Sequence, residues 1–285
     1  MPSEPTPSSS MLTRPIPRSG EQVPVIGMGT WQTFDVGSSA AERAPLLEVL
    51  RRFFAAGGRV IDSSPMYGRA EEVSGDVLAE LSALDTPFRA TKVWTTGKQQ
   101  GIDQMKRSLR RMRAEAPRKM DLMQVHNLQD WKTHLPVLRE WKAAGVIRYL
   151  GITHYDPGSF EEMERMMRGE TLDFIQLPYS VVERGAEKRL LPAAAATGTA
   201  VLVMTPFASG GLFRQVKGKP LPGLAAELEC TSWAQLFLKF LLGHPAVLCP
   251  IPATSSPEHM ADNVQAGFGP MPDEKQREQI ARLVR

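Results

Sequence analysis

Residues 57–64 read GGRVIDSS and residues 65–68 continue PMYG, and this stretch decides how the chain is parsed. Ahead of it, Leu46, Leu47, Val49, Leu50, Phe53 and Phe54 recur at helical spacing, and Gly57 and Gly58 stop that helix. RVIDSS (59–64) is then a short apolar strand. It runs into an aspartate, two serines, a proline and a tyrosine. Core packing gives no reason for Asp62 and Tyr67 at the end of a buried strand. A helix, a glycine stop and a strand with a polar end form one αβ unit, so the next question is whether the unit recurs.

It does. Strands are expected at PVIGMG (24–29), RVIDSS (59–64), FRATKVW (88–94), KMDLMQVH (119–126), VIRYLGI (146–152), DFIQLPY (173–179), AVLVMTPF (200–207) and AVLCPIP (246–252). Helices are expected near 46–54, 70–82, 100–114, 132–144, 158–168, 185–197, 232–242 and 257–266, with a last amphipathic helix at 273–284. The strands are apolar at nearly every position, which implies a parallel sheet buried on both faces. Eight such units predict an α/β fold of the closed (β/α)8 TIM-barrel type, a single domain over residues 12–285. An open doubly wound sheet is the alternative. GMGTWQ (27–32) fails the G-x-G-x-x-G dinucleotide pattern at its sixth position. Residues 1–11, rich in Pro and Ser, read as a disordered tail, and either Met1 or Met11 suits a start.

Composition narrows the function. Of 285 residues, 42% are hydrophobic and 23% charged, and a net charge of +3 is too small to argue for nucleic acid or an anionic membrane. Two cysteines without metal-ligand spacing suit a reducing, cytoplasmic setting and give no metal site. No apolar run is long enough to span a bilayer, and the N-terminus lacks the pattern of a secretory signal. The basic run KRSLRRMRAEAPRK (106–119) is expected on an outer helix as a solvated face, with Leu109 and Met112 turned to the core.

In a barrel of this kind, chemistry sits at the C-terminal ends of the strands. Strand two ends in Asp62, with Tyr67 beyond it; strand three carries Lys92; strand four ends in His126. Alone, each has an ordinary structural reading. Together they would converge on one side of the mouth. Asp62 would pair the buried ammonium of Lys92. A cation beside Tyr67 is expected to lower the phenol from about 10 toward neutrality, making it a general acid. His126 would donate a hydrogen bond to the same substrate oxygen. This arrangement suits protonation of an oxygen that gains charge, as in carbonyl reduction.

The stretches PVIGMGTW, VIDSS with its continuation PMYG, ATKVW, DLMQVHN, IRYLGITHY, FIQLPYS and IPATSSPEHMADN, in this order, resemble the aldo-keto reductases from about residue 12 to the C-terminus. The resemblance implies an NADPH-dependent reductase of aldehydes or ketones, with NADH possible as donor, and a tetrad at Asp62, Tyr67, Lys92 and His126. It implies dinucleotide contacts at Gly29, Thr30 and Trp31. Thr153, His154 and Gln176 match the positions that fix the nicotinamide carboxamide, and Met204 the position of a stacking aromatic. Thr205, Pro206, Phe207, Ser209, Gly210 and Leu212 match the loop under the pyrophosphate. Thr254, Ser255, Ser256, His259 and Asn263 match the adenosine phosphate end, where Ser256 is also a good N-cap before Pro257.

Three departures stand out. Ala253 and His259 replace the Lys and Arg that many relatives place around the 2′-phosphate, so the NADPH preference is open to test. Met204 stands for the aromatic, and Thr153 with His154 alter the usual carboxamide motif. Trp31, Met66, Trp94 and Asn127 would line the substrate side, while Trp131 reads as core or surface. The chain ends just after its last helix, which leads to the expectation of an open pocket. A small carbonyl substrate and a monomer or weak homo-oligomer complete the reading. The rival readings are a cofactor-binding or regulatory protein on the same fold with little turnover, and an unrelated barrel hydrolase or aldolase.

Overall fold

A computed structural model describes residues 10–284. Two short strands, β1 (Thr13–Pro15) and β2 (Gln22–Pro24), form an antiparallel hairpin ahead of the repeating units. The units then follow as β3 (Met28–Gly29), α1 (Ala40–Ala55), β4 (Val60–Asp62), α2 (Ala70–Glu80), β5 (Phe88–Val93), α3 (Lys98–Arg111), β6 (Met120–His126) and α4 (Trp131–Ala143). The second half runs β7 (Ile147–Thr153), α5 (Phe160–Gly169), β8 (Phe174–Pro178), α6 (Leu190–Thr197) and β9 (Ala200–Met204). Two short helices, α7 (Gly211–Gln215) and α8 (Gly223–Glu227), precede α9 (Trp233–Leu242), β10 (Val247–Pro250), α10 (Pro257–Gln265) and α11 (Glu274–Arg282).

Strands β3 to β10 pair in chain order, every neighbour parallel. The ends meet through a parallel bridge between Gly29 and Ala253, and Gly27 N donates to Pro250 O at 3.0 Å. The sheet is therefore a closed (β/α)8 barrel. Closure explains the glycines of the first strand. A Cβ on Gly27 would lie 2.9 Å from both Cys249 Sγ and Ile251 Cγ2, and one on Gly29 would lie 3.0 Å from Ile251 O.

The helix ends follow their caps. Ser39 and Glu42 form a capping box on α1, Ser232 caps α9, Ser256 caps α10 with Pro257 at its first position, and Asp273 with Gln276 boxes α11. Inside the barrel, side chains alternate with a period of two. Along β5, Phe88, Ala90 and Lys92 share one face; along β6, Leu122, Gln124 and His126; along β8, Phe174 and Gln176. Each row turns from apolar to polar toward its C-terminal end, and the apolar members form one interior cluster. Ile16 and Val23 of the hairpin join that cluster, so the hairpin plugs the N-terminal end. Arg14 fastens it there by donating to the carbonyls of Leu242, His244 and Val247.

Several sequence expectations are revised. PVIGMG is not one strand: Pro24 belongs to the hairpin, and only Met28–Gly29 pairs in the barrel. The stretch 185–197 divides into one 3-10 turn at Gly185–Lys188 and helix α6. Met11, assigned to the tail, is 6% exposed and packs among the residues under α1, while Leu12 N donates to Gly267 O at 2.8 Å. The rest of the expected tail, residues 1–9, lies outside the described residues. In the basic run, Leu109 and Met112 are buried as expected, and three of the seven cations are ion-paired: Arg111 with Glu71 at 3.6 Å, Arg113 with Asp76 at 2.7 Å and Arg118 with Asp85 at 2.7 Å.

Candidate active site

Four side chains named from sequence converge at the C-terminal end of β4, β5 and β6. Lys92 is completely buried, and its Nζ donates to Asp62 Oδ2 at 2.6 Å and to Ser63 O at 2.7 Å. Gln124 Nε2 donates to the other carboxylate oxygen, Asp62 Oδ1, at 3.3 Å. Tyr67 sits on the turn after β4, where its backbone N–H donates to Ser64 O at 3.0 Å. Lys92 Nζ lies 5.1 Å from the centre of its ring, and the His126 ring meets it edge-on with centroids 5.9 Å apart. Ser64 Oγ stands 2.9 Å from His126 Nδ1.

The electrostatics correct one expectation. The Tyr67 phenol is raised above its ordinary value, not lowered toward neutrality. Burial penalises the phenolate most; the Lys92 charge pulls the other way, and Asp62 adds a further upward push. Burial also acts first on Lys92 and disfavours its charge, but Asp62 and then Tyr67 reverse this, and the ammonium ends above its usual range. His126 is driven down to about 2, chiefly by burial and then by the charges of Lys92 and His154, so its imidazole is neutral.

The other expected contacts fall into groups. Thr30 is fully buried and its hydroxyl is committed, to Asp62 O at 3.0 Å and Ser63 Oγ at 2.9 Å, so it fastens β3 to β4. Thr153 Oγ1 donates to Gln176 Oε1 at 3.1 Å, while Gln176 Nε2 is buried with no hydrogen-bond partner among the described residues. An unspent amide donor beside the barrel mouth fits the oxygen of a carboxamide. His154 Nδ1 accepts from Asp156 N at 3.0 Å, and its ring stacks on Tyr155.

Met204 ends β9 half-buried, and Thr205, Ala208 and Ser209 after it adopt left-handed backbone, with Gly210 at φ 81°. Phe207 packs on Phe213, and Pro206 and Leu212 turn inward. Leu212 is wholly enclosed among core side chains, which leaves its side chain no surface for a cofactor. Thr254 is buried ahead of α10 and Asn263 within its last turn, and Ser255 and His259 are exposed. Thr254 Oγ1 accepts from Ser256 N at 3.0 Å, and Ser256 Oγ from His259 N at 3.2 Å.

On the outer rim, Trp31 is 49% exposed, Met66 40% and Trp94 39%, an open apolar mouth. Asn127 has left-handed backbone, and its Oδ1 is buried without a partner among the described residues. Trp131 starts α4 and packs half-buried on the core. Sequence reasoning missed Ser64 and Gln124. The doubled serine after Asp62 was the signal that could have found the first; nothing in MQVH marks Gln124 as inward-facing and polar until the register is known.

A model of the Aldo/keto reductase family matches residues 25–284. The chain belongs to the aldo/keto reductase family. It is 28% identical over 261 residues to a methylglyoxal reductase of Escherichia coli, covering 89% of each chain. It is 23% identical over 296 residues to an NADH-specific methylglyoxal reductase of the same organism, covering 85% of this chain and 89% of the relative. Among solved structures, an aldo/keto reductase from Klebsiella pneumoniae in complex with NADP and acetate superposes with a TM-score of 0.77 at 28% identity, over 93% of each chain.

Of the ten described non-glycine residues with positive φ in this aldo/keto reductase, seven lie on the same face, and Ser82, Arg113 and Glu229 instead follow helices. Gln32, Asn127, Leu128, Asp130, Thr205, Ala208 and Ser209 all hold positive φ, and all lie in loops after barrel strands. Left-handed backbone at non-glycine residues is costly, and it concentrates where loops are held in shape for a ligand. A second cleft, of about 450 Å³, opens at the opposite end beside the hairpin. Two of its five cations are ion-paired: Arg118 with Asp85, and Arg148 with Asp121 and Glu21. Among the described residues no cluster of metal-ligating side chains occurs, and no helix is long and apolar enough to cross a membrane.

Proposed function

We propose that this aldo/keto reductase converts a small aldehyde or ketone to the alcohol with NADPH or NADH, and that Tyr67 supplies the proton. The observation that carries the reading is the buried Lys92–Asp62 pair beneath Tyr67, with the neutral His126 beside it. When bound, the dinucleotide supplies hydride from nicotinamide C4 to the carbonyl carbon. Tyr67 donates its phenolic proton to the carbonyl oxygen as that oxygen gains charge. Lys92 stabilises the phenolate left behind, and Asp62 holds Lys92 charged in a site that would otherwise neutralise it. His126 donates a ring N–H to the same oxygen and fixes its position.

Thr153, His154 and Gln176 hold the carboxamide in this reading, with Gln176 Nε2 as the unspent donor. Thr254, Ser255, Ser256, His259 and Asn263 hold the adenosine phosphate end at the α10 N-terminus, where backbone N–H groups and the helix dipole favour an anion. Trp31, Met66, Trp94 and Asn127 face the substrate. Methylglyoxal is the first substrate to try, since two of the relatives are methylglyoxal reductases. The enzyme works as a monomer or weak homo-oligomer without nucleic acid. Its two cysteines, both free and buried, suit the cytoplasm.

Titration with NADPH and with NADH, followed by nucleotide fluorescence, tests the reading. Saturable binding of NADPH is expected despite Ala253 and His259 at the 2′-phosphate positions. Tighter NADH binding would keep the reaction and overturn the preferred donor. Absence of binding by either would overturn the function.

A further inference from the structure

Among the described residues, the hydroxyl of Ser64 is hydrogen-bonded to the His126 ring and has no part in the proposed proton or hydride transfer. Ser64 is wholly buried, on the segment that links Asp62 to Tyr67. Its Oγ lies 2.9 Å from His126 Nδ1, and Met66 N donates to the same oxygen at 3.4 Å. A hydroxyl carries one proton and two lone pairs, and a neutral imidazole carries one N–H and one lone pair. With Met66 N–H occupying a lone pair of Oγ, the Ser64 proton needs an acceptor, and His126 Nδ1 is the acceptor in reach. The reverse arrangement, Nδ1–H donating to Oγ, would bury the serine proton with no partner, which native structures avoid.

We propose that Ser64 is a positioning residue that donates to His126 Nδ1 and so fixes the ring as the Nε2–H tautomer. This rests on the reductase reading, because the tautomer matters only if Nε2 faces a substrate oxygen. Nε2 has no hydrogen-bond partner among the described residues. With Nε2–H, the oxygen meets two donors, the Tyr67 hydroxyl and the imidazole. With the other tautomer, a nitrogen lone pair would face an oxygen that is gaining negative charge. Burial keeps the imidazole neutral, so a second ring proton cannot substitute for the correct tautomer. Ser64 acts through His126 and touches neither substrate nor cofactor.

The test is nitrogen NMR on protein labelled at its histidines, with His126 assigned by comparison with His126→Asn. In the unsubstituted protein Nδ1 is expected to resonate as a lone-pair nitrogen and Nε2 as a protonated one. In Ser64→Ala the two forms should mix. The same substitution should lower kcat for carbonyl reduction by roughly 10-fold or more, as loss of an oxyanion donor does, with dinucleotide affinity and thermal midpoint nearly unchanged. Protonated Nδ1 in the unsubstituted protein would overturn the proposal, even if Ser64→Ala failed to fold. An unchanged tautomer and kcat in a folded Ser64→Ala would overturn it as well. Failure of the unsubstituted protein to reduce any carbonyl would instead strike the reductase reading, since the tautomer is measured without turnover.

Discussion

Tyr67 works as an acid only while it holds its proton, and its surroundings favour that form. Burial raises the phenol above its ordinary value more than Lys92 lowers it. Reduction is therefore expected to be flat across roughly pH 6 to 9 and to fall only on the alkaline side of the usual phenol value of about 10. His126, neutral down to about 2, contributes no acid limb in that range. A pH profile of kcat/KM for reduction checks this, and a break near neutrality would mean that Lys92 dominates the phenol after all. The Lys92–Asp62 pair makes a second residue-scale prediction. Both side chains are almost fully buried, so Lys92→Met would strand a carboxylate without its cation. Loss of one partner of such a pair costs about 3 to 5 kcal/mol, and urea unfolding should register it; a loss well under 1 kcal/mol would mean that water reaches Asp62. Sequence alone placed these residues together because three consecutive strands carry Asp62, Lys92 and His126 at or near their C-terminal ends. It misjudged the sign of the Tyr67 shift because burial depth is not written in a motif.

Elements meet where small residues allow it, and α2 against α3 is the tightest case. A Cβ on Gly75 would fall 2.0 Å from Arg111 O, a backbone atom that cannot rotate away. Gly75→Ala should force the helices apart and cost roughly 1 to 3 kcal/mol, read as a lower urea midpoint with the parallel-barrel circular dichroism retained. The same pair of helices encloses Glu71, whose Oε1 accepts from Thr91 Oγ1 at 2.6 Å. Burial raises this carboxyl, with Thr91 and Arg111 opposing it only in part. A folded value above the unfolded one means that its contribution is intact in acid and lost as pH rises through the folded value. Glu71→Gln should therefore stabilise the fold at about pH 8, and the gain should vanish near the unfolded carboxyl value of about 4.3. Urea midpoints at both pH values decide it. Helices were legible because glycine stops and serine caps bracket apolar periodicity, as at Ser232 and Ser256. The β1–β2 hairpin was not, because each strand is only three residues long and its alternation covers too few positions.

At the scale of the whole molecule, one gradient organises the barrel. Its interior is apolar at the hairpin end and polar at the other, and the Lys92–Asp62 pair, the unspent Gln176 amide and the left-handed loops after β6 and β9 lie toward the polar end. The fold was readable from eight repeated strand–helix units, since closure follows from their number and their two-sided apolarity. The site was readable where a polar residue ends a buried strand. It was less so in the loop after β9, where Leu212 proves to be core because α7 tucks it inward. The most direct test of the account is turnover of methylglyoxal with NADPH by the unsubstituted protein and by Tyr67→Phe. The account predicts dinucleotide oxidation matched one for one by alcohol formed in the first. In the second it predicts loss of turnover by roughly 100-fold or more, with NADPH still bound. Equal rates in both proteins would contradict it by showing that the proton comes from elsewhere.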